Sequence, residues 1–120
     1  MHIQGGNDMK ILKTSKVLSD GNALKILAAT QKRPCTAQEL SDELGTPLAG
    51  TYKKIKELEQ NGLIAPLDRM LTSYGKRVTR YRSLVRGFFV EFYNNELKVT
   101  LELDDGDMPL RLSWNPLLNS

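Results

Sequence analysis

Hydrophobic positions along this chain change their spacing near residue 60. Before it they recur every three or four residues, and after it they alternate. The first spacing is that of helices with one buried face, and the second is that of half-buried strands. After the start signal Asp20-Gly21-Asn22, the residues Ala23, Leu24, Ile26, Leu27 and Ala28 predict a short helix. It stops before Lys32-Arg33-Pro34, because proline disfavours helix at the residue it follows. Upstream, Lys10 to Val17 fits either a short strand or a first helical turn. Thr36-Ala37-Gln38-Glu39 is a capping box, in which Thr36 and Glu39 satisfy each other's backbone amides. It opens a short helix with Ala37, Leu40 and Leu44 inward, ended by Gly45. Thr46 and Pro47 read as N-cap and first residue of a second helix, Pro47 to Gln60. Only Gly45 to Pro47 separate the two helices, so they must cross sharply. In the second, Leu48, Thr51, Ile55 and Leu58 form the inward stripe. Ala49, Gly50, Tyr52, Lys53, Lys56, Glu57 and Gln60 are left outside, and Asn61-Gly62 closes the helix.

Two strands are expected next, Ile64 to Met70 and Val78 to Ser83. The polar, glycine-containing segment Thr72 to Arg77 between them suits an exposed loop. Tyr81 is expected inward, with Arg80 and Arg82 on the opposite face. Further on, a two-residue turn at Asn94-Asn95 sets Phe92 against Leu97, Val90 against Val99 and Phe88 against Leu101. Glu91 then faces Lys98 on the other side. Turn chemistry and register agree, which predicts a hairpin. Asp104, Asp105, Gly106 and Asp107 make another turn, and Leu110, Leu112 and Trp114 alternate as a third strand. The resulting apolar face needs a cover, from the helices or from a second subunit.

A helix, a tight turn, a second helix and a basic hairpin, in that order, make a winged helix-turn-helix. That arrangement brings one helix to a DNA major groove with a charged loop beside it. The expected fold class is α+β, a winged helix-turn-helix with a C-terminal antiparallel hairpin or meander. The expected divisions are an N-terminal segment (1–17), the winged unit (18–84), the meander (85–114) and a tail (115–120).

Charge sharpens the picture. The net value is only +3, but residues 53–86 hold nine basic and three acidic residues, and residues 87–120 hold two basic and six acidic. A polyanion should find the second helix and the hairpin, and avoid the C-terminal third. Arg80 and Arg82 have a competing use as partners of that acidic third. With 40% hydrophobic and 26% charged residues, the chain is an ordinary globular one. No apolar run approaches the roughly 18 residues that span a bilayer, and no signal-peptide core is present, so a cytoplasmic protein is expected.

Candidate chemistry is sparse. Cys35 and His2 are the only residues of their kinds, so neither a disulfide nor a metal cluster is expected. Cys35 precedes a helix N-terminus, where a thiolate is favoured, although a small structural cysteine is the plainer reading. Asp104, Asp105 and Asp107 lack the further ligands of a calcium loop. Neither a nucleophile–base pair nor a phosphate-cradling glycine loop is found, so no enzyme and no cofactor are expected.

Leu18 to Leu27 resembles the opening helix of ArsR-like winged-helix regulators. Leu40 to Gly45 with Tyr52 to Ile64 resembles their helix-turn-helix, and Gly75 to Arg82 their second wing strand. The resemblance implies a transcription regulator, usually dimeric, with Pro47–Gln60 as recognition helix. It implies no metal sensing here, because the cysteine and histidine clusters of metal-sensing members are missing. Dimerising helices often lie at the chain ends in that family, whereas this C-terminal end reads as strands.

The expected partners are double-stranded DNA and a second copy of the chain, with no membrane and no metal. The expected contacts are Thr46, Leu48, Ala49, Gly50, Tyr52, Lys53, Lys54 and Lys56 on or before the helix, and Lys76, Arg77 and Arg80 on the wing (71–77) and its strand. Tyr52 could bond a phosphate or pack under its helix. The alternatives are a winged-helix module that docks on proteins, and a sequence-indifferent DNA binder.

Overall fold

The computed structural model describes residues 5–104, 106 and 108–118, with side chains from residue 10. His2, Asp105 and Asp107 lie outside the described residues. Four helices come first: α1 (Gly5–Leu18), α2 (Gly21–Lys32), α3 (Ala37–Leu44) and α4 (Leu48–Gln60). A two-residue strand β1 (Cys35–Thr36) stands before α3. After α4 come β2 (Ile64–Leu71), β3 (Arg77–Ser83), β4 (Val85–Tyr93), β5 (Glu96–Leu103) and β6 (Leu110–Trp114). The strands make two antiparallel sheets, ordered β1-β3-β2 and β4-β5-β6. The α+β winged helix-turn-helix with a C-terminal meander is therefore the fold.

The ambiguous N-terminal segment is helical. Ile11, Thr14, Val17 and Leu18 fall on one side of α1 and are buried, a helical spacing that alternation does not match. Helix α2 begins where expected. Asp20 is its N-cap, with Oδ1 accepting from the amides of Asn22 (2.9 Å) and Ala23 (3.4 Å). Its inward face differs in part from expectation. Ala29 and Thr30 are buried, while Leu24 and Ala28 are exposed, because the face turns with the helix out to Lys32.

The Thr36–Glu39 capping box is present: the Glu39 amide donates to Thr36 Oγ1 (3.1 Å) and the Thr36 amide to Glu39 Oε1 (2.8 Å). Gly45 then takes φ +67°, a left-handed backbone that glycine enters without a Cβ clash. The start of α4 differs by one residue from the expected cap. Pro47 is the N-cap, with no side-chain hydrogen bond, and Leu48 is the first helical residue. The Thr46 hydroxyl lies 2.8 Å from that of Thr51, and its carbonyl accepts from Ser41 Oγ at 2.5 Å. Thr46 thus ties the turn to both helices instead of capping one.

In the meander the register is the expected one, with Phe92 opposite Leu97, Val90 opposite Val99, Phe88 opposite Leu101 and Glu91 opposite Lys98. Asn94 and Asn95 both have positive φ (51° and 66°), as a two-residue hairpin turn with the native twist requires. β6 adds Trp114 to Leu97, Leu112 to Val99 and Leu110 to Leu101. One core cluster joins the two parts: Ile11, Val17 and Leu18 of α1 share it with Leu40, Ile55 and Leu58 of the helical body and with Val99 and Leu101 of the meander. Helix α1 packs on β5 and β6. It leaves the β4 side of the apolar face bare, with Val90 and Phe92 exposed. The radius of gyration is 16.4 Å, against about 14 Å for a compact domain of this length. Two projecting hairpins account for the excess.

Candidate nucleic-acid interface

The direction of each α4 side chain follows from the helical turn of about 100° per residue. Thr51, Ile55 and Leu58 are buried against the body. Ala49, Lys53, Lys56 and Gln60 lie opposite them and are exposed. Tyr52 and Leu48 occupy the flank nearer β3. Leu48 was expected in the buried stripe, yet it is 37% exposed, and burial along that stripe begins at Thr51. Tyr52 is exposed as well, while Tyr81 is half-buried, packs against the core as expected, and has its phenol pKa raised by burial.

Gly50 and Lys54 lie on the other flank, toward α2, and border a small cleft with Asn22, Ile26, Leu44 and Pro47. Lys54 therefore leaves the expected surface set. Its Nζ donates to Asp20 Oδ2 and to Glu57 Oε1 (3.0 Å). The contact raises the Lys54 pKa, first through the Asp20 hydrogen bond, and the Lys54 bond lowers that of Asp20. One carboxylate thus caps α2 through one oxygen and holds α4 through the other. At Gly50 a Cβ would meet nothing within 4 Å. No packing demands glycine there, although glycine costs a helix about 1 kcal/mol relative to alanine.

The wing is the β2–β3 hairpin. Its loop is built on Thr72, whose amide donates to the Lys76 carbonyl (2.7 Å) and whose hydroxyl accepts from the amides of Tyr74 and Lys76. Gly75 supplies the positive φ that closes the loop. Strand alternation puts Arg77 on the face that carries Tyr81, with Arg69 joining through its Arg69–Thr79 pairing. Arg80 and Arg82 point the other way. Arg80 forms a two-pronged pair with Asp68, with Nε to Oδ1 at 2.7 Å, and this pairing lowers the Asp68 pKa. Arg80 was expected to face DNA or the acidic third, and in the structure its guanidinium is engaged by Asp68. Arg82 does turn to the acidic third, with Nη1 3.6 Å from Asp104 Oδ2.

The cations of 53–86 thus divide. Lys54, Arg80, Arg82 and Arg86 each lie within 4 Å of a carboxylate. Lys53, Lys56, Arg69, Lys76 and Arg77 have no such partner among the described residues. They sit on the outward face of α4, on the helix-facing side of the wing and at its tip. Two residues outside the expected set belong to the same surface: Arg69, and Tyr74, which is 94% exposed at the wing tip. The Arg69–Thr79 register depends on an irregularity between Pro66 and Asp68 that the sequence pattern does not show. Tyr74 could have been found, as an aromatic residue in a polar loop that no core needs.

Cys35 is no surface thiol. It is buried in β1, its Sγ lies 3.3 Å from the Arg33 carbonyl, and burial raises its pKa. The short pairing of Cys35 with Tyr81, which two residues of sequence could not announce, is what turns it inward.

A helix-turn-helix domain model matches residues 18–66, spanning α2, the α3–α4 pair and the start of β2. No curated protein sequence matches the chain. Among solved structures the chain is similar to NolR from Sinorhizobium fredii. The TM-score is 0.54, over 69% of this chain and 81% of that one, at 13% identity. At that identity the likeness is one of fold.

Proposed function

We propose that the chain is a sequence-specific, DNA-binding transcriptional regulator of the ArsR-like winged-helix type that acts as a homodimer in the cytoplasm and needs no metal or cofactor. The observation that carries the reading is the division of cations. In the stretch where basic residues concentrate, the unpaired ones share the α4–wing surface, and the paired ones face elsewhere. A surface of unpaired cations around a protruding helix suits a phosphate backbone, whose condensed counterions are released on contact. The helix-turn-helix match over residues 18–66 supports the same reading.

In this reading α4 enters the major groove by its N-terminal half. Leu48, Ala49 and Tyr52 lie close to base edges and Lys53 reaches them, while Gly50 lets a backbone come near. The uncapped amides at the start of α4, with no acidic residue in the first turn, favour a phosphate there. Lys56, Arg69, Lys76 and Arg77 hold phosphates, and Tyr74 extends the reach of the wing. Lys54, Arg80 and Thr46 act as supports that fix α4, the wing and the turn.

The second copy is proposed to cover the bare side of the meander. β4 is a nine-residue edge strand without proline or lysine, the kind of edge that pairs with another chain. Phe89, Phe92 and Tyr93 are each about two-thirds exposed. Phe92 lies with Val90 on the apolar face, while Phe89 and Tyr93 lie on the opposite face of the same strand, so a second copy paired along the β4 edge would contact rings on both faces. Selection from a random duplex pool tests the whole reading. Enrichment of a motif with two half-sites about 10 base pairs apart is expected. A pool that binds without enrichment favours sequence-indifferent binding, and a pool that is not retained favours a protein-docking module.

A further inference from the structure

A second cationic surface lies away from α4. Helix α2 ends, β3 ends and β4 begins around an open cleft of about 590 Å³, lined by Lys32, Arg33, Arg82, Arg86 and Asp104 among others. That volume is within the usual range of small-molecule sites, roughly 300 to 1,000 Å³. Four cations and one carboxylate face it. Arg33 is already engaged by Glu43 at 3.1 Å. Arg82 and Arg86 share only the carboxylate of Asp104, at 3.6 and 3.9 Å. Both distances exceed hydrogen-bond length, so their donors are held near an anion without being bonded to it. A guanidinium is satisfied by planar, two-oxygen contacts, and one carboxylate cannot offer these to two guanidiniums at once.

The cleft wall is built before any ligand arrives. The Gln31 side-chain amide donates to the carbonyls of Val85 (2.7 Å) and Arg86 (3.0 Å), which fixes the start of β4 to the end of α2. The Leu84 amide donates to the Leu63 carbonyl, and the Asp104 amide to the Leu84 carbonyl, both at 2.9 Å. These bonds hold the joint between the winged unit and the meander. The carbonyl end of α2 contributes roughly half a negative charge, and Asp104 one more. Arg33 is answered by Glu43 and Glu39, at 3.1 and 3.8 Å, so the helix end and Asp104 are set against Lys32, Arg82 and Arg86 and do not cancel those three cations.

We infer that this cleft binds a small phosphate-type anion, such as a phosphorylated metabolite or pyrophosphate, which takes the place of Asp104 between Arg82 and Arg86. A phosphate carries more charge than a carboxylate and offers three or more oxygens, so it can bond both guanidiniums together. Arg82 belongs to one sheet and Arg86 to the other, and the bound anion therefore clamps the joint. The inference does not depend on the DNA reading.

Calorimetric titration with inorganic pyrophosphate, at constant ionic strength in chloride, tests it. One saturable site per chain is expected. Arg82→Gln with Arg86→Gln should weaken it at least ten-fold, and Asp104→Asn should tighten it several-fold by removing the competing carboxylate. Lys53→Glu with Arg77→Glu should leave it unchanged, which separates this site from the α4–wing surface. Arg86 is well exposed, so Arg86→Gln alone gives a readout if the double variant does not fold. Absence of saturable binding overturns the inference. So does equal affinity in the arginine variants, or loss of binding in the Lys53/Arg77 variant instead.

Discussion

The molecule carries two projecting hairpins of similar architecture and opposite chemistry. The β2–β3 hairpin ends in Tyr74, Lys76 and Arg77, all exposed, and its root is sealed by Leu63, Ile64 and Ser83. The β4–β5 hairpin ends in Phe92 and Tyr93, exposed as well, and its root is sealed by Val85, Val99 and Leu101. In each, the root is buried and the tip is exposed. A tip of cations seeks a polyanion and weakens with salt. A tip of aromatic rings seeks an apolar surface and does not. The comparison separates what folds the chain from what the chain meets.

Root and tip should respond very differently to truncation. Leu63 at the root of the β2–β3 hairpin is fully buried, so Leu63→Ala is expected to cost about 2–5 kcal/mol in denaturant unfolding. Phe92→Ala, at 68% exposure, should cost the monomer no more than about 0.5 kcal/mol, as surface changes usually do. Equal losses at the two sites would break the distinction. Phe92→Asp sharpens it further: self-association measured by sedimentation should weaken at least ten-fold, because an unpaired charge would enter the apolar contact. Unchanged association would move the dimer interface away from β4.

Much of this division could be read from the sequence, and the reasons are local. The capping box, Gly45 and the Asn94-Asn95 turn each specify a backbone by side-chain chemistry, so α3, the turn and the meander register follow directly. Helix α1 was not decided, because its buried residues answer to a sheet far along the chain. The residues of the proposed interface are legible as a concentration of charge and not one by one. Lys53, Lys54 and Lys56 look alike in sequence. Only the partner Asp20, thirty-four residues away, takes Lys54 out of the surface. Likewise, Asp68 engages Arg80 across a strand irregularity that alternation does not reveal.

Smaller effects belong to these local devices. Thr36→Ala removes one arm of the capping box and should cost about 1 kcal/mol of stability. Asp20→Asn should cost up to about 1 kcal/mol near neutrality, as a partly exposed pair with Lys54 allows. The sign of its pH dependence is fixed. The folded pKa of Asp20 lies below its ordinary value, chiefly because Lys54 bonds it. Its contribution is therefore present above the unfolded pKa, about 4, and fades as pH falls through the lower folded value. The wild-type and Asp20→Asn unfolding curves should converge in acid. A difference that widens there would contradict the pairing.

The most direct test of the α4–wing surface is the salt dependence of duplex affinity, measured by fluorescence anisotropy on the wild type and on Lys53→Glu with Arg77→Glu. For the wild type, log affinity should fall linearly with log salt, and the double variant should bind more weakly with a slope shallower by about two. Wild-type affinity and slope retained in the double variant would contradict the account.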